Sequence, residues 1–146
     1  MRALLIEDHR AVSDSIRLML APEGFDVDAI TFGKDGVAAA CTDDYDVIIL
    51  DLNLPDVDGY NVLRSIRDAG IETPVLVLSG LGEIENKRKC LENGADDYLA
   101  KPFERSEFVK RVTALPLRDV GGAPAPFEAG RLTVNLDTNT FLMMYR

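Results

Sequence analysis

Two runs of consecutive apolar residues, Val47–Leu50 and Val75–Leu78, constrain the fold of this 146-residue chain more than any other feature. A strand with one face in water alternates apolar and polar residues, whereas an uninterrupted apolar run is typical of a strand that is buried on both faces. Strands of the second kind occur in parallel sheets that helices cover on both sides. The two runs therefore predict an α/β domain built around a parallel sheet.

The same alternation of strand and helix patterns extends to residue 115. The predicted strands are 3–6, 27–30, 47–50, 75–78 and 98–100. The predicted helices lie around 12–20 and 62–66 and over 33–42, 84–93 and 104–115, and left-handed helix ends are expected at Gly24, Gly70 and Gly94. Right-handed crossovers would produce a doubly wound, five-stranded parallel sheet with helices on both faces, and we expect the flavodoxin-like strand order 2-1-3-4-5 by analogy.

Proline and glycine divide the chain into three parts. Residues 1–120 form the predicted domain, and we expect Pro116 to end its last helix. Residues 121–126, with the sequence Gly-Gly-Ala-Pro-Ala-Pro, are typical of a linker. Residues 127–146 contain two strand-like segments around a turn, which predicts a short β-hairpin. Two strands do not form a stable domain, so we interpret the hairpin as the start of a truncated second domain.

The charge and cysteine content argue against several classes of protein. The formal net charge is −9 and lies wholly within residues 1–120, so no part of the chain has the basic surface that binds nucleic-acid phosphates. Cys41 and Cys90 lie in unrelated segments, and we expect reduced thiols rather than a disulfide or a metal site. No apolar run could span a membrane and no secretion signal opens the chain, which predicts a cytoplasmic protein.

Polar side chains stand at the carboxyl ends of four predicted strands. Glu7 and Asp8 follow the first strand, Asp51 follows the third, Ser79 the fourth and Lys101 the fifth. Ligands of open parallel sheets bind beyond this edge, so we expect the five side chains to converge there. Three neighbouring carboxylates repel one another unless a cation joins them, and oxygen ligands of this kind suit Mg²⁺.

These residue types predict phosphoryl-transfer chemistry. Asp8 and Asp51 would be carboxylate ligands of Mg²⁺, and Glu7 would hold a coordinated water. The Asp51 carboxylate can attack a phosphoryl donor and become an acyl phosphate. Lys101 and the metal would neutralise charge on the transferred group, and Ser79 would donate a hydrogen bond to one of its oxygens.

Over residues 1–118 the chain resembles the receiver domains of two-component response regulators. The matching segments are Leu4–Asp8, Ile48–Gly59, Leu78–Gly80 and Gly94–Phe103. The resemblance implies that Asp51 is the phospho-acceptor, that a histidine kinase or histidine phosphotransferase is the donor, and that the protein is not an enzyme beyond its own phosphorylation and slow autodephosphorylation. It adds the backbone carbonyl of Asn53 as a metal ligand and a cis Lys101–Pro102 peptide. It also implies a switch in which Tyr98 turns inward when Ser79 moves toward the phosphoryl group.

Two further sets of residues refine the resemblance. Three segments are similar to the OmpR/PhoB subfamily of DNA-binding regulators, namely Gly94–Tyr98, Lys101–Phe103 and Gly130–Asp137. Within that subfamily, Asp44–Asp46 with Asp51–Asp56 are similar to the CtrA cell-cycle regulators. Residues 127–145 would then be the first strands of a winged-helix domain. The subfamily implies that the full-length parent controls transcription, and that DNA is bound only by that parent and not by this chain.

The subfamily also implies a homodimer through the face formed by helix 4, strand 5 and helix 5. Charged residues on this face would pair across a two-fold axis. Lys87 is expected opposite Glu107, and Asp96 opposite Arg111. Pairs of this kind at a solvated rim determine register more than affinity.

Other functions are compatible with an acid-lined α/β domain. A phosphatase of the haloacid-dehalogenase type also uses an aspartate and Mg²⁺, but it has a second acid two residues later, where this chain has Asn53. A flavodoxin-like or nucleotide-binding module needs a phosphate loop after the first strand, where Glu7 and Asp8 would repel phosphate. A stand-alone receiver that acts only through protein contacts stays open as the alternative. His9 could be a specificity contact or a surface residue, and the surface interpretation is preferred.

Overall fold

The computed structural model describes residues 1–80 and 84–120, with side chains described for 1–80 and 87–116. Its strands are β1 (Arg2–Ile6), β2 (Asp26–Ile30), β3 (Val47–Asp51), β4 (Val75–Ser79) and β5 (Asp97–Ala100). They form one sheet in the order β2-β1-β3-β4-β5, and every neighbouring pair is parallel. The predicted doubly wound sheet and its strand order are confirmed. The linker and the hairpin predicted for 121–146 lie outside the described residues.

Helices connect the strands along the chain. They are α1 (Arg10–Leu20), α2 (Gly33–Thr42), α3 (Gly59–Asp68), α4 (Ile84–Glu92) and α5 (Arg105–Val120), and a single 3-10 turn follows α1 at Ala21–Glu23. Positive φ angles of 86°, 84° and 109° at Gly24, Gly70 and Gly94 confirm the expected left-handed positions after the 3-10 turn, α3 and α4. A residue with a Cβ adopts this conformation only at a cost, which explains glycine at these three positions.

Alternate side chains of the buried strands contribute to two separate cores, one on each face of the sheet. Ala3 and Leu5 of β1 belong to the core that includes α1 and α5 side chains, whereas Leu4 and Ile6 belong to the core that includes α2, α3 and α4 side chains. All five residues of β3 are buried, and so are all five of β4. The consecutive apolar runs are therefore explained by helices on both faces.

The last helix does not end where the sequence suggested. α5 continues to Val120 with Pro116 inside it, so the prediction that Pro116 ends the helix was wrong. The fixed φ of proline is compatible with a helix, and its ring removes a single backbone hydrogen bond. Phe108, Val112 and Leu115 are buried in the core and hold the preceding turns against the sheet, so the helix tolerates that loss.

The structure also bears on the membrane and cysteine predictions, within the part of the chain that it describes. Within 1–80 and 84–120, no helix combines the length and the hydrophobicity needed to cross a bilayer. Cys41 is exposed and Cys90 is buried, and both are free thiols in this structure.

Candidate functional site

The register of the parallel strands brings the predicted site residues to one edge of the sheet. Asp51 at the end of β3 is paired with Leu78, the residue before Ser79, in β4. The backbone N–H of Lys101 donates to the Ser79 carbonyl at 2.7 Å, and Glu7 directly follows β1. The expected convergence of the strand-end side chains is thus a direct result of strand pairing.

Four residues at this edge offer closely spaced ligand atoms. Glu7, Asp8, His9 and Asp51 each contribute one atom, and these atoms lie within 4.8 Å of one another. The side chains of Glu7 and Asp51 are almost completely buried. Asp8 Oδ1 is also buried, and it makes no hydrogen bond to the residues that the structure describes, although His9 Nδ1 lies 3.3 Å from it. A buried acceptor without a donor fits a bound cation, so this group of residues could hold a divalent metal ion.

Lys101 lies against two of the buried carboxylates. Its Nζ is 3.4 Å from Asp51 Oδ1 and 3.4 Å from Glu7 Oε1. Burial and the neighbouring Glu7 charge raise the pKa of Asp51, and they outweigh Lys101 and the backbone N–H of Asn53, which lower it. The three acids are therefore only partly compensated by the protein's own cation.

The loop between β3 and α3 closes tightly beside Asp51. The N–H of Asn53 donates to Asp51 Oδ1 at 3.3 Å, and Asn53 pairs with Asp58 in an isolated antiparallel bridge. The Gly59 N–H donates to the Leu52 carbonyl at 3.1 Å, and a Cβ on Gly59 would lie 2.5 Å from Leu52 Cα. Glycine at this position lets the loop return close to its own start, which keeps Asn53 beside the acids.

Asp56 in the same loop has a role that sequence reasoning missed. Its carboxylate accepts hydrogen bonds from the backbone N–H groups of Gly33 and Lys34, at 2.8 and 3.1 Å. These are orphan donors of the first turn of α2, so Asp56 joins the loop to a second helix. The loop, together with Asp8, His9, Tyr60 and Ser79, lines an open cleft of about 720 Å³.

His9 lies closer to the acids than its interpretation as a surface residue implied. Its side chain is 69% exposed, yet Nδ1 is 3.2 Å from Glu7 Oε2 and 3.3 Å from Asp8 Oδ1. The backbone N–H of His9 also donates to Glu7 Oε2 at 3.0 Å. The surface interpretation was therefore incomplete, and the sequence signal for the contact was the position of His9 immediately after the two acids.

The two residues of the predicted switch lie on neighbouring strands. Ser79 ends β4, is 1% exposed and lines the cleft. Tyr98 on β5 is 8% exposed and packs in the core on the α2, α3 and α4 side of the sheet. The Lys101–Pro102 peptide that follows β5 is cis, as the resemblance implied.

The residues predicted for a dimer face lie in α4, immediately before β5, and in α5. They are Lys87, Asp96, Glu107 and Arg111. Arg111 donates to Asp97 at 2.8 Å and to Glu107 at 3.1 Å within the same chain. Asp96 accepts from Arg67 at 2.8 Å. Three members of the predicted pairs, Asp96, Glu107 and Arg111, therefore have partners in their own chain, and the pairing across an axis stays a prediction.

Comparison with known sequences gives a family for this arrangement. The profile of the response regulator receiver domain matches residues 3–113. Over 140 residues the chain is 47% identical to the cell cycle response regulator CtrA of Brucella ovis and to that of Brucella anthropi. Each alignment covers 96% of this chain and 60% of the relative, so the chain spans about 60% of the length of these curated relatives.

Comparison with solved structures also identifies receiver domains as similar to this chain. The receiver domain of the Francisella response regulator 1452 is 36% identical, with a TM-score of 0.77 over 81% of this chain and 98% of that one. The receiver domain of a sensor histidine kinase from Pseudomonas aeruginosa is 33% identical, with a TM-score of 0.72 over 79% and 96%, and has a magnesium ion coordinated in its active site cleft. This chain belongs to the response regulator receiver domains, a family of signalling proteins rather than classical enzymes, and is similar to the CtrA regulators of the OmpR/PhoB type.

Proposed function

We propose that the chain is a phosphorylation-activated receiver, which accepts a phosphoryl group on Asp51 from a histidine kinase or a histidine phosphotransferase. The observation that carries the proposal is the environment of Asp51. Its carboxylate is buried at the end of β3, lies beside the other two acids, and is 3.4 Å from Lys101. A buried nucleophile with a metal-binding cluster on one side and a fixed ammonium on the other suits transfer of a highly charged group.

Mg²⁺ is the cofactor that the donor set favours. Asp8 and Asp51 would be its carboxylate ligands, the backbone carbonyl of Asn53 a third ligand, and Glu7 would act through a coordinated water. Oxygen donors of this kind suit a small hard cation, and the unsatisfied buried Oδ1 of Asp8 supports the assignment. When bound, the ion supplies charge neutralisation for the transferred phosphoryl group.

The residues of the chain have distinct tasks in the transfer. A carboxylate oxygen of Asp51 attacks the phosphorus of the donor phosphohistidine, the P–N bond breaks, and the donor imidazole leaves with its electron pair and takes up a proton from solvent. The ammonium of Lys101 compensates the negative charge on Asp51 and on the incoming group. The hydroxyl of Ser79 donates to a phosphoryl oxygen. Slow hydrolysis of the acyl phosphate would return the carboxylate.

The response to phosphorylation would travel through Ser79 and Tyr98. The phosphoryl group adds about −1.5 to −2 charges at the edge of the sheet. Ser79 would move toward it and would favour the inward position of Tyr98, a position in which the Tyr98 side chain is already buried in this structure. The face formed by α4, β5 and α5 would then favour a homodimer, with Lys87 opposite Glu107 and Asp96 opposite Arg111. The last pairing requires both residues to leave their present partners.

The alignment with the CtrA regulators favours a longer parent that regulates transcription over a stand-alone receiver. An alignment of 140 residues must continue well beyond residue 113, where the receiver profile ends. This supports a receiver over 1–120, a linker over 121–126, and the beginning of an effector domain over 127–146. Specific DNA binding is assigned to the parent and not to this chain, and the proposed location is the cytoplasm, without a membrane partner.

Phosphoryl transfer from a small donor tests the central assignment. Acetyl phosphate with Mg²⁺ should add one phosphoryl group to the intact protein, as measured by mass spectrometry. Asp51→Asn should abolish the addition, Asp8→Asn should weaken it severely, and a chelator should prevent it. Asp68→Asn, which removes an exposed acid at the end of α3, is the matched control and should leave it unchanged. Full labelling of Asp51→Asn, or labelling that survives the chelator, would contradict the proposal.

A further inference from the structure

The proposed Mg²⁺ site does not use the imidazole of His9. Its Nδ1 is 3.2 Å from Glu7 Oε2 and 3.3 Å from Asp8 Oδ1, two acids that the proposal already places at the metal. Mg²⁺ takes oxygen ligands, so a nitrogen at this position adds nothing to its binding. Imidazole is, however, a preferred ligand of zinc, copper and nickel ions.

The spacing of these atoms suits coordination of one ion. Neighbouring ligands of a tetrahedral Zn²⁺ ion at about 2.0 Å are separated by roughly 3.3 Å. The two distances from His9 Nδ1 are close to that separation, and the ligand atoms of the whole cluster lie within 4.8 Å of one another. The His9 side chain is 69% exposed, so its ring has room to rotate. A small rotation moves Nδ1 by the few tenths of an ångström that coordination requires.

We infer that Glu7, Asp8 and His9 form a second way of binding a divalent ion at this edge, with one nitrogen and two oxygen ligands, selective for borderline transition metals such as Zn²⁺. The inference rests on the proposed function, because Asp8 is shared with the Mg²⁺ site. An ion bound through His9 excludes Mg²⁺ from Asp8. Zn²⁺ is then an inhibitor of phosphorylation at Asp51, and the strength of the inhibition depends on His9.

A hydrogen-bonding role is the competing explanation. His9 Nδ1 could donate to Glu7 Oε2 and merely hold that carboxylate in place. Removal of the imidazole would then weaken the binding of every divalent ion by a similar factor. A ligand role instead predicts that affinity is lost selectively for the ions that prefer nitrogen. A comparison of two metals therefore distinguishes the two explanations.

Calorimetric titration of Zn²⁺ and Mg²⁺ makes that comparison. The exposed thiol of Cys41 is first removed in a Cys41→Ser background, so that it cannot bind Zn²⁺. His9→Gln in this background should lower the Zn²⁺ affinity at least about tenfold and the Mg²⁺ affinity less than about twofold. Equal losses for the two ions, or an unchanged Zn²⁺ affinity, would overturn the inference.

A spectroscopic readout identifies the ligand directly. The chain contains a single histidine, so any imidazole nitrogen coupled to bound Cu²⁺ in pulsed electron paramagnetic resonance must belong to His9. We expect this coupling in the Cys41→Ser protein and its loss in His9→Gln, and its absence from the Cys41→Ser protein refutes the assignment. Neither measurement uses phosphorylation. Failure of the receiver function would appear separately, as absent phosphoryl addition to Asp51 with Mg²⁺ alone.

Discussion

The ammonium of Lys101 lies 3.4 Å from Asp51 Oδ1, and it approaches Glu7 Oε1 equally closely. One cation is thus shared between two buried carboxylates, which explains why the pKa of Asp51 stays raised despite this contact. Burial is the largest cause of the increase and the charge of Glu7 is the second. Several consequences of this balance can be measured.

Removal of the Lys101 charge should raise the pKa of Asp51 further. Lys101 lowers that pKa in the wild-type protein, so in Lys101→Met the effects of burial and of Glu7 are opposed only by the backbone N–H of Asn53. A carbon-detected NMR titration of the carboxyl groups measures the change. Lys110→Met, at an exposed position on α5, is the control and should leave the Asp51 titration where it is. An identical Asp51 pKa in wild type and Lys101→Met would show that the contact is electrostatically unimportant.

Ionised Asp51 should destabilise the metal-free protein at neutral pH. Its folded pKa is above the unfolded value near 3.8, so its contribution to stability is complete below that value and is lost as pH rises through the folded pKa. Asp51→Asn removes the charge and leaves Lys101 paired with Glu7. We expect this variant to be about 1 kcal/mol more stable than wild type at pH 7 without divalent metal.

Urea denaturation over a range of pH measures this difference. The advantage of Asp51→Asn should reach a constant value above the folded pKa of Asp51 and shrink toward zero as pH falls to about 3.8. Mg²⁺ should stabilise wild type and so reduce the stability difference between wild type and Asp51→Asn at pH 7. The reason is that a ligand that binds only the folded state increases the free energy of unfolding. A difference that is constant across the whole range would rule out titration of Asp51 as its source.

Of the two arginines on α3, Arg67 should contribute more to the stability of the protein. Its guanidinium donates to the carbonyls of Gly94, Ile71 and Thr73 and to the carboxylate of Asp96, at 2.8 to 3.0 Å. Arg67→Ala would leave several part-buried acceptors without a donor. We expect a loss of about 2–3 kcal/mol in the free energy of unfolding.

Arg64 offers a matched control on the same helix. It makes one exposed hydrogen bond, to Asn93, at 2.9 Å. Arg64→Ala should cost less than about 0.5 kcal/mol in the same urea experiment. Similar losses in the two variants would mean that helix propensity, and not the four contacts of Arg67, determines the effect.

Charge reversal tests the proposed dimer face. Glu107→Lys should reduce the dimer fraction of the phosphorylated protein in sedimentation experiments, because it places like charges opposite each other at Lys87. The variant also removes an intrachain partner of Arg111, so its effect alone is ambiguous. The double variant Lys87→Glu with Glu107→Lys restores the pair across the axis and should recover most of the dimer. A dimer fraction that the single variant leaves unchanged would place the interface elsewhere.

The sequence alone determined the fold and the location of the site. Consecutive apolar residues in β3 and β4 require cover on both faces, and this requirement implies a parallel sheet between helices. Once the strands are parallel, residues such as Asp51 and Ser79 that end them must meet at one edge. Both conclusions follow from local pattern and from strand geometry, which do not depend on the packing of individual side chains.

Tertiary structure alone decided which side chains are partners. Arg67 binds groups far from it in sequence, and Arg111 pairs with Asp97 of its own chain. His9 follows the two acids directly in the sequence, but only the structure shows that its largely exposed side chain reaches both of them. Such contacts depend on how loops return to the sheet and on which rotamers packing permits, and no spacing in the sequence encodes either. The continuation of α5 through Pro116 has the same origin, because buried residues of that helix outweigh the local cost of proline.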